Sequence, residues 1–287
     1  MQLTPISERI GVRVDGLDLS EPISEADRSA LTDALAEHKM LLFRQGPISD
    51  DEHVALLGAL GRIMHEENDT SLFTYVGNSR DAYVRGTDRL RFHSDWQCAV
   101  SGGIHVISLY AVEMDNDDPT IYADMVHAAQ VLPDELRAKV SDAKLVQCTD
   151  FSGATPKDGH FRLSAQAEGV PDELFPRSVQ PLLGHHRITG AELVNVSEQQ
   201  TSHIEGCTEA ESDAIFAALS PYQYGEDNQY AHHWQVHDLL VWDNLALQHA
   251  RNASTAPSGR RLRRVTLNEI DFVDMFPDVP RSVTKMG

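Results

Sequence analysis

The stretch RFHSDWQ, residues 91–97, sets His93 and Asp95 two positions apart. On an extended strand residues two apart point to the same face, so both could reach one ion while Ser94 points away. An imidazole, a carboxylate and a second imidazole make the facial triad that holds Fe(II) and leaves coordination positions open for co-substrate and dioxygen. A lone H-x-D arises by chance in many chains, so the third ligand decides. LLVWDNLALQHARN offers one: an apolar strand runs into a turn at Asp243-Asn244, and His249 follows in the next segment. The other histidines have blander settings. His185-His186 and His232-His233 are adjacent pairs whose members would point to opposite strand faces, and His105 and His127 fit packing or surface positions.

Beyond His249, SGRRLRRVTL gathers Arg260, Arg261, Arg263 and Arg264 in a strand-like stretch. Strand parity puts Arg260 and Arg264 on one face, Arg261 and Arg263 on the other. A guanidinium grips a carboxylate through two parallel charge-assisted hydrogen bonds, so an arginine on the metal's side could anchor a dicarboxylate. The bland alternative is four surface charges offsetting the acid elsewhere.

These residues need a scaffold, and the pattern around them describes one. IGVRVDGLDL alternates as a strand; SEADRSALTDALAEHKM carries a Ser24 cap, Asp27 three residues on, and apolar residues at helical spacing. LLFRQ reads as a short buried strand and SDDEHVALLGALGRI as a second capped helix. From Met64 to Leu90 periodicity fades into polar and aromatic residues, with Tyr75, Tyr83, Arg85, Arg89 and Arg91 in or just beyond it. Long irregular loops are usually functional, so this segment is a candidate lid. GIHVISLYAVEM and TIYADM read as strands, VHAAQVLPDELRAKV as one helix, and the Gly-, Pro- and Asp-rich 149–178 as a second lid. Strands return at SVQPLLGHH and AELVNVS, a helix at TEAESDAIFAALSPY, then strands at YAHHWQV, DLLVWDN and RRLRRVTLNEI. Many short strands with a few helices outside them predict an antiparallel double sheet of jelly-roll type, whose mouth can collect ligands from distant strands.

Composition narrows the functions. The 287 residues carry 24 Lys+Arg against 44 Asp+Glu, a net charge of −20. A nucleic-acid partner needs a basic face and is not expected. Cys98, Cys148 and Cys207 are widely spaced and lack any CxxC, which speaks against a disulfide framework or structural zinc and for a reducing cytoplasm. No apolar run approaches the roughly 20 residues of a membrane helix, so no membrane association is expected.

With these motifs in order, the chain resembles the taurine dioxygenase and 2,4-dichlorophenoxyacetate dioxygenase family of Fe(II), 2-oxoglutarate-dependent oxygenases. GVRVDGLDLSEPIS, HKMLLFRQGPIS, FHSD, LLVWDNLALQHARN and RRLRRVTL carry the likeness over nearly the whole chain. The resemblance implies an α+β, mainly β fold: a double-stranded β-helix (jelly-roll, cupin-like) core with flanking helices and lid loops at 64–92 and 149–178, in a single domain over 1–287. It implies iron on His93, Asp95 and His249, and 2-oxoglutarate on Thr120 and Arg260. It also implies a substrate anion near Arg264, with dioxygen as the second co-substrate. A small molecule bearing a carboxylate, sulfonate, sulfate or phosphate is the expected substrate, and a homo-oligomer the expected assembly.

Departures from the family affect the substrate. Its usual GGDT appears as DDPT, and an aromatic position after LVN falls near Gln200 in SEQQ. Gln200, Tyr75 and Arg89 are weaker pocket candidates. Asp95 argues against halogenation, in which that carboxylate is replaced. Hydroxylation is the expected outcome; desaturation, epoxidation and cyclisation use the same chemistry. An intact ligand set argues against a non-catalytic binding protein, and Thr120 with Arg260 against a zinc hydrolase.

Overall fold

The computed structural model describes residues 1–66, 71–77, 89–115, 118–155, 159–166, 168–253 and 259–280. In chain order the strands are β1 (Gln2–Pro5), β2 (Val12–Asp15), β3 (Met40–Phe43), β4 (Thr74–Gly77), β5 (Leu90–His93), β6 (Val106–Glu113), β7 (Thr120–Asp124) and β8 (Lys144–Cys148). They continue as β9 (Arg177–Pro181), β10 (Leu183–His185), β11 (Glu192–Val194), β12 (Thr201–Ile204), β13 (Gln229–His232), β14 (Leu239–Asp243), β15 (Leu247–Arg251) and β16 (Arg261–Leu267). The helices are α1 (Glu25–His38), α2 (Asp50–Leu60), α3 (Met125–Gln130), α4 (Asp134–Val140), α5 (Glu209–Tyr224) and α6 (Phe272–Met275).

A large sheet of order β1-β2-β3-β14-β6-β16-β4 faces a smaller one of order β13-β7-β15-β5. Between them lies a core to which Met40, Leu42, Ile107, Leu109, Leu240, Trp242 and Leu262 come from the large sheet, and Tyr122 and Leu247 from the small one. Alternation along β3 sends Leu41 and Phe43 the other way, against Leu31 and Leu35 of α1 and Leu56 and Leu57 of α2. Both faces of MLLF are therefore covered, which is why it reads as an unbroken apolar run. Ser24 caps α1 by accepting from the Asp27 N–H. Ser49 and Glu52 close a capping box on α2.

The double sheet of jelly-roll type is present, with four differences from expectation. The β2–β3 pair is parallel, because α1 lies between them as a crossover. The single helix expected over VHAAQVLPDELRAKV is two, α3 and α4, because Pro133 lacks the N–H a continuous helix needs and stands instead as the N-cap of α4. SVQPLLGHH splits into β9 and β10, which belong to different sheets. Part of the first expected lid is scaffold: β4 forms an edge of the large sheet, pairing with β16. Residues 67–70 and 78–88 of that segment, including Tyr83 and Arg85, lie outside the described residues.

Candidate metal centre

His93 ends β5 and His249 lies in β15, where the two are direct register partners across an antiparallel pair. Asp95 follows two residues after His93, in a turn where Trp96 takes a left-handed conformation at φ 58°. Asn244 fixes this turn: its Oδ1 accepts from the Asp95 N–H at 3.0 Å, and its Nδ2 donates to the Asp95 carbonyl at 3.2 Å. The turn after β14 therefore clamps the turn after β5.

The structure brings the three expected metal residues together. One ligand atom from each lies within 4.8 Å of the others. Asp95 Oδ1 is 3.2 Å from His93 Nε2 and 3.6 Å from His249 Nε2. His93 Nδ1 sits 2.6 Å from the Arg91 carbonyl, which can only accept; this makes Nδ1 the protonated nitrogen and leaves the Nε2 lone pair toward Asp95. His249 is held by packing instead, edge-on to Trp242 at 5.4 Å between ring centres and against Tyr122 at 6.2 Å. Burial, with His93 beside it, pushes its pKa down to about 3. A neutral imidazole is the form that binds metal. Burial alone would raise Asp95, but Arg264 and the two histidines outweigh it and hold the carboxyl well below the usual carboxylate range. Two imidazoles and a carboxylate on a buried face suit a divalent cation with open positions.

Arg260 and Thr120 also meet, across the gap between the sheets. Arg260 Nη2 donates to Thr120 Oγ1 at 3.0 Å, and Trp234 Nε1 donates to the same oxygen at 2.9 Å. Both lone pairs of that hydroxyl are engaged, so its proton remains to be donated. Arg260 is 5% exposed, and burial with Arg251 nearby lowers its pKa to about 10. Among the described residues its Nη1 is buried with no partner. A guanidinium nitrogen buried without an acceptor beside a hydroxyl with a proton to give fits a carboxylate. Gly77 permits the approach: at φ +144°, a Cβ there would lie 2.0 Å from the Arg260 carbonyl oxygen.

Parity along β16 turns Arg264 inward with Arg260, and Arg261 and Arg263 outward. Arg261 lies over the Tyr75 ring at 3.9 Å and Arg263 binds His53 of α2. Three expectations of substrate contact change. Tyr75 pairs with outward-facing Arg263 and so stands on the helix-covered face of the large sheet. Gln200 is spent on the backbone, its Oε1 accepting from Cys98 N–H and its Nε2 donating to the Ser94 carbonyl. Arg89 is half exposed and pairs with Glu198 at 3.5 Å. Arg264 does lie beside the centre, but against carboxylates: Nη1 is 2.7 Å from Asp95 Oδ2, and Nε donates to Glu66 Oε1 at 2.7 Å.

Asn244, Trp234, Gly77 and Glu66 were not picked out from the sequence. The Asp-Asn turn beside His249 was a signal for Asn244. The other three reach the site only through tertiary packing.

The profile of the Taurine catabolism dioxygenase TauD, TfdA family matches residues 2–266. The chain is 24% identical over 271 residues to an alpha-ketoglutarate-dependent sulfate ester dioxygenase of Pseudomonas putida, covering 93% of this chain and 89% of that protein. It is 24% identical over 281 residues to an alpha-ketoglutarate-dependent 2,4-dichlorophenoxyacetate dioxygenase of Cupriavidus pinatubonensis, covering 91% and 96%. Among solved structures it resembles AAD-2 in complex with Mn(II) and N-oxalylglycine, with a TM-score of 0.73, 21% identity and coverage of 93% and 96%. A taurine dioxygenase from Burkholderia xenovorans gives 0.74, 21%, and 93% and 90%.

The site and fold are those of non-haem iron oxygenases that consume 2-oxoglutarate and dioxygen. The chain belongs to the TauD, TfdA family. Among the described residues no helix is long and apolar enough to cross a membrane.

Proposed function

We propose that His93, Asp95 and His249 hold Fe(II), that Arg260 and Thr120 hold the far carboxylate of 2-oxoglutarate, and that the enzyme hydroxylates a small organic molecule. The observation that carries this reading is the buried Nη1 of Arg260, without a partner among the described residues, beside the Thr120 hydroxyl. When bound, the iron supplies oxidation of a C–H bond coupled to conversion of 2-oxoglutarate and dioxygen to succinate and CO2.

The chain's own contributions are positional. Arg260 and Thr120 fix one end of the co-substrate by charge-assisted hydrogen bonds, and Trp234 fixes Thr120. Asn244 holds the backbone of Asp95. Arg264 engages Asp95 Oδ2, leaving Oδ1 toward the histidines. Trp96, the residue after Asp95, packs with Phe151, Phe272 and Phe276 in an aromatic cluster that anchors the Asp95 turn. The unpaired cysteines support a cytoplasmic setting.

Anaerobic titration of the apoprotein with Fe(II) and 2-oxoglutarate tests the reading through the visible metal-to-ligand charge-transfer band. The band is expected in the wild type and weakened in His249→Ala and Arg260→Ala. Tight metal binding with no band would overturn the oxygenase assignment.

A further inference from the structure

The relatives are named for sulfate esters and phenoxyacetates, which carry one negative charge. Arg264 is the cation next to the metal residues that such a group would meet, yet Glu66 already binds its Nε and Asp95 its Nη1. Glu66 is a built-in partner: it is 7% exposed, its Oε1 accepts from Arg264 Nε at 2.7 Å and from Thr266 Oγ1 at 2.9 Å, and its Oε2 accepts from Thr74 Oγ1 at 3.3 Å. Taking the oxygenase reading as given, we propose that Glu66 is a specificity residue which fills the anion position beside Arg264, so that the substrate is an organic molecule uncharged at that end.

Charge balance supports this. The two charges of the iron with those of Arg260 and Arg264 are matched by Asp95, Glu66 and the two carboxylates of 2-oxoglutarate. Arg251 and Asp118, both of which act on Arg260, add one charge of each sign. Without Glu66 the centre would keep one positive charge for a monoanion to neutralise. With Glu66 present, an incoming anion must either displace a buried carboxylate from three partners or lie beside it unpaired, and both are costly.

The surroundings agree. The Phe272 N–H donates to the His65 carbonyl, which sets Glu66 one residue away from the aromatic cluster. Within that cluster Trp96 stacks on Phe151 at 5.5 Å and packs against Phe272 at 4.9 Å. The residue that follows Asp95, Trp96, is thus embedded in buried aromatic side chains.

Phenoxyacetate is the probe, read as a shift of the anaerobic Fe(II)/2-oxoglutarate charge-transfer band in wild type, Glu66→Gln and Glu66→Met. The wild type is expected to give no shift at millimolar phenoxyacetate, and the variants to respond at concentrations at least tenfold lower than any wild-type response. A shift in the wild type at submillimolar phenoxyacetate overturns the proposal whether or not the variants fold. Equal responses, or none, from well-folded variants overturn it too. Failure of the band to form in the wild type without probe would count against the oxygenase reading instead.

Discussion

Replacing Thr120 with valine keeps the side chain's shape and removes one oxygen, which in this structure serves two donors at once. Trp234 Nε1 and Arg260 Nη2 reach it at 2.9 and 3.0 Å, and both residues are about 5% exposed or less. Each buried donor left without an acceptor costs about 1–3 kcal/mol, with a charged guanidinium toward the upper end. Together they should remove roughly 3–5 kcal/mol from the apoprotein, a large share of the ~5–15 kcal/mol by which domains are usually stable. Affinity for 2-oxoglutarate should fall as well, because the proposed contact loses a hydroxyl donor to a charged carboxylate. At about 1.5–2 kcal/mol that is a 10- to 30-fold rise in Kd. Urea unfolding of the metal-free protein measures the first effect, and calorimetric titration of 2-oxoglutarate into Mn(II)-loaded protein the second. Thr120→Ser keeps the oxygen and should stay near wild type in both. A valine variant with the wild-type urea midpoint and unchanged Kd would refute the idea that this hydroxyl organises the Arg260 end of the site.

Gly77→Ala should weaken 2-oxoglutarate binding at least tenfold with little change in metal affinity, since its methyl group would push on the Arg260 backbone; equal binding in parallel titrations would show that β4 does not set that arginine. Asp238 accepts from Arg44, His232 and the Gln235 N–H. Burial would raise its pKa, but these partners lower it to about 2. Because the folded value lies below the unfolded one, its stabilisation is present above about pH 4 and fades as pH falls toward 2. Asp238→Asn should therefore unfold more easily than wild type at pH 7, with the gap narrowing between pH 4 and 2, as read from urea midpoints. Burial pushes the Cys98 thiol up and the Cys148 thiol to about 12, so in the native state only half-buried Cys207 should react readily with a thiol reagent at pH 8. Fast labelling of all three without denaturant would contradict the packing described around them.

Legibility in the sequence followed the range of the interaction. His93 and Asp95 are related by strand period, and the four arginines by parity, so both patterns survive in one dimension. The capped helices α1 and α2 were legible for the same reason, their Ser24 and Ser49 signals being local. β4 was not, because four residues, TYVG, make a strand only by pairing with β16 about 190 positions away. Glu66 shows the limit most clearly. Nothing near it in the chain marks it, and only the folded large sheet brings Thr74 and Thr266 to its carboxylate. An inward-facing arginine next to a metal site reads as a substrate anchor in one dimension, where its contacts with Glu66 and Asp95 are invisible. Gln200 and Tyr75 differ: their residue types suit a pocket, whereas the structure shows Gln200 hydrogen-bonded to the Ser94 carbonyl and Tyr75 facing outward on β4.

A crystal structure with Mn(II) and N-oxalylglycine tests the central claim most directly. The metal should lie among His93 Nε2, Asp95 Oδ1 and His249 Nε2, with the far carboxylate of the analogue on Arg260 Nη1 and Thr120 Oγ1 and Glu66 still bound to Arg264. An analogue carboxylate seated on another cation, or a metal that leaves one of the three ligands unused, would contradict it.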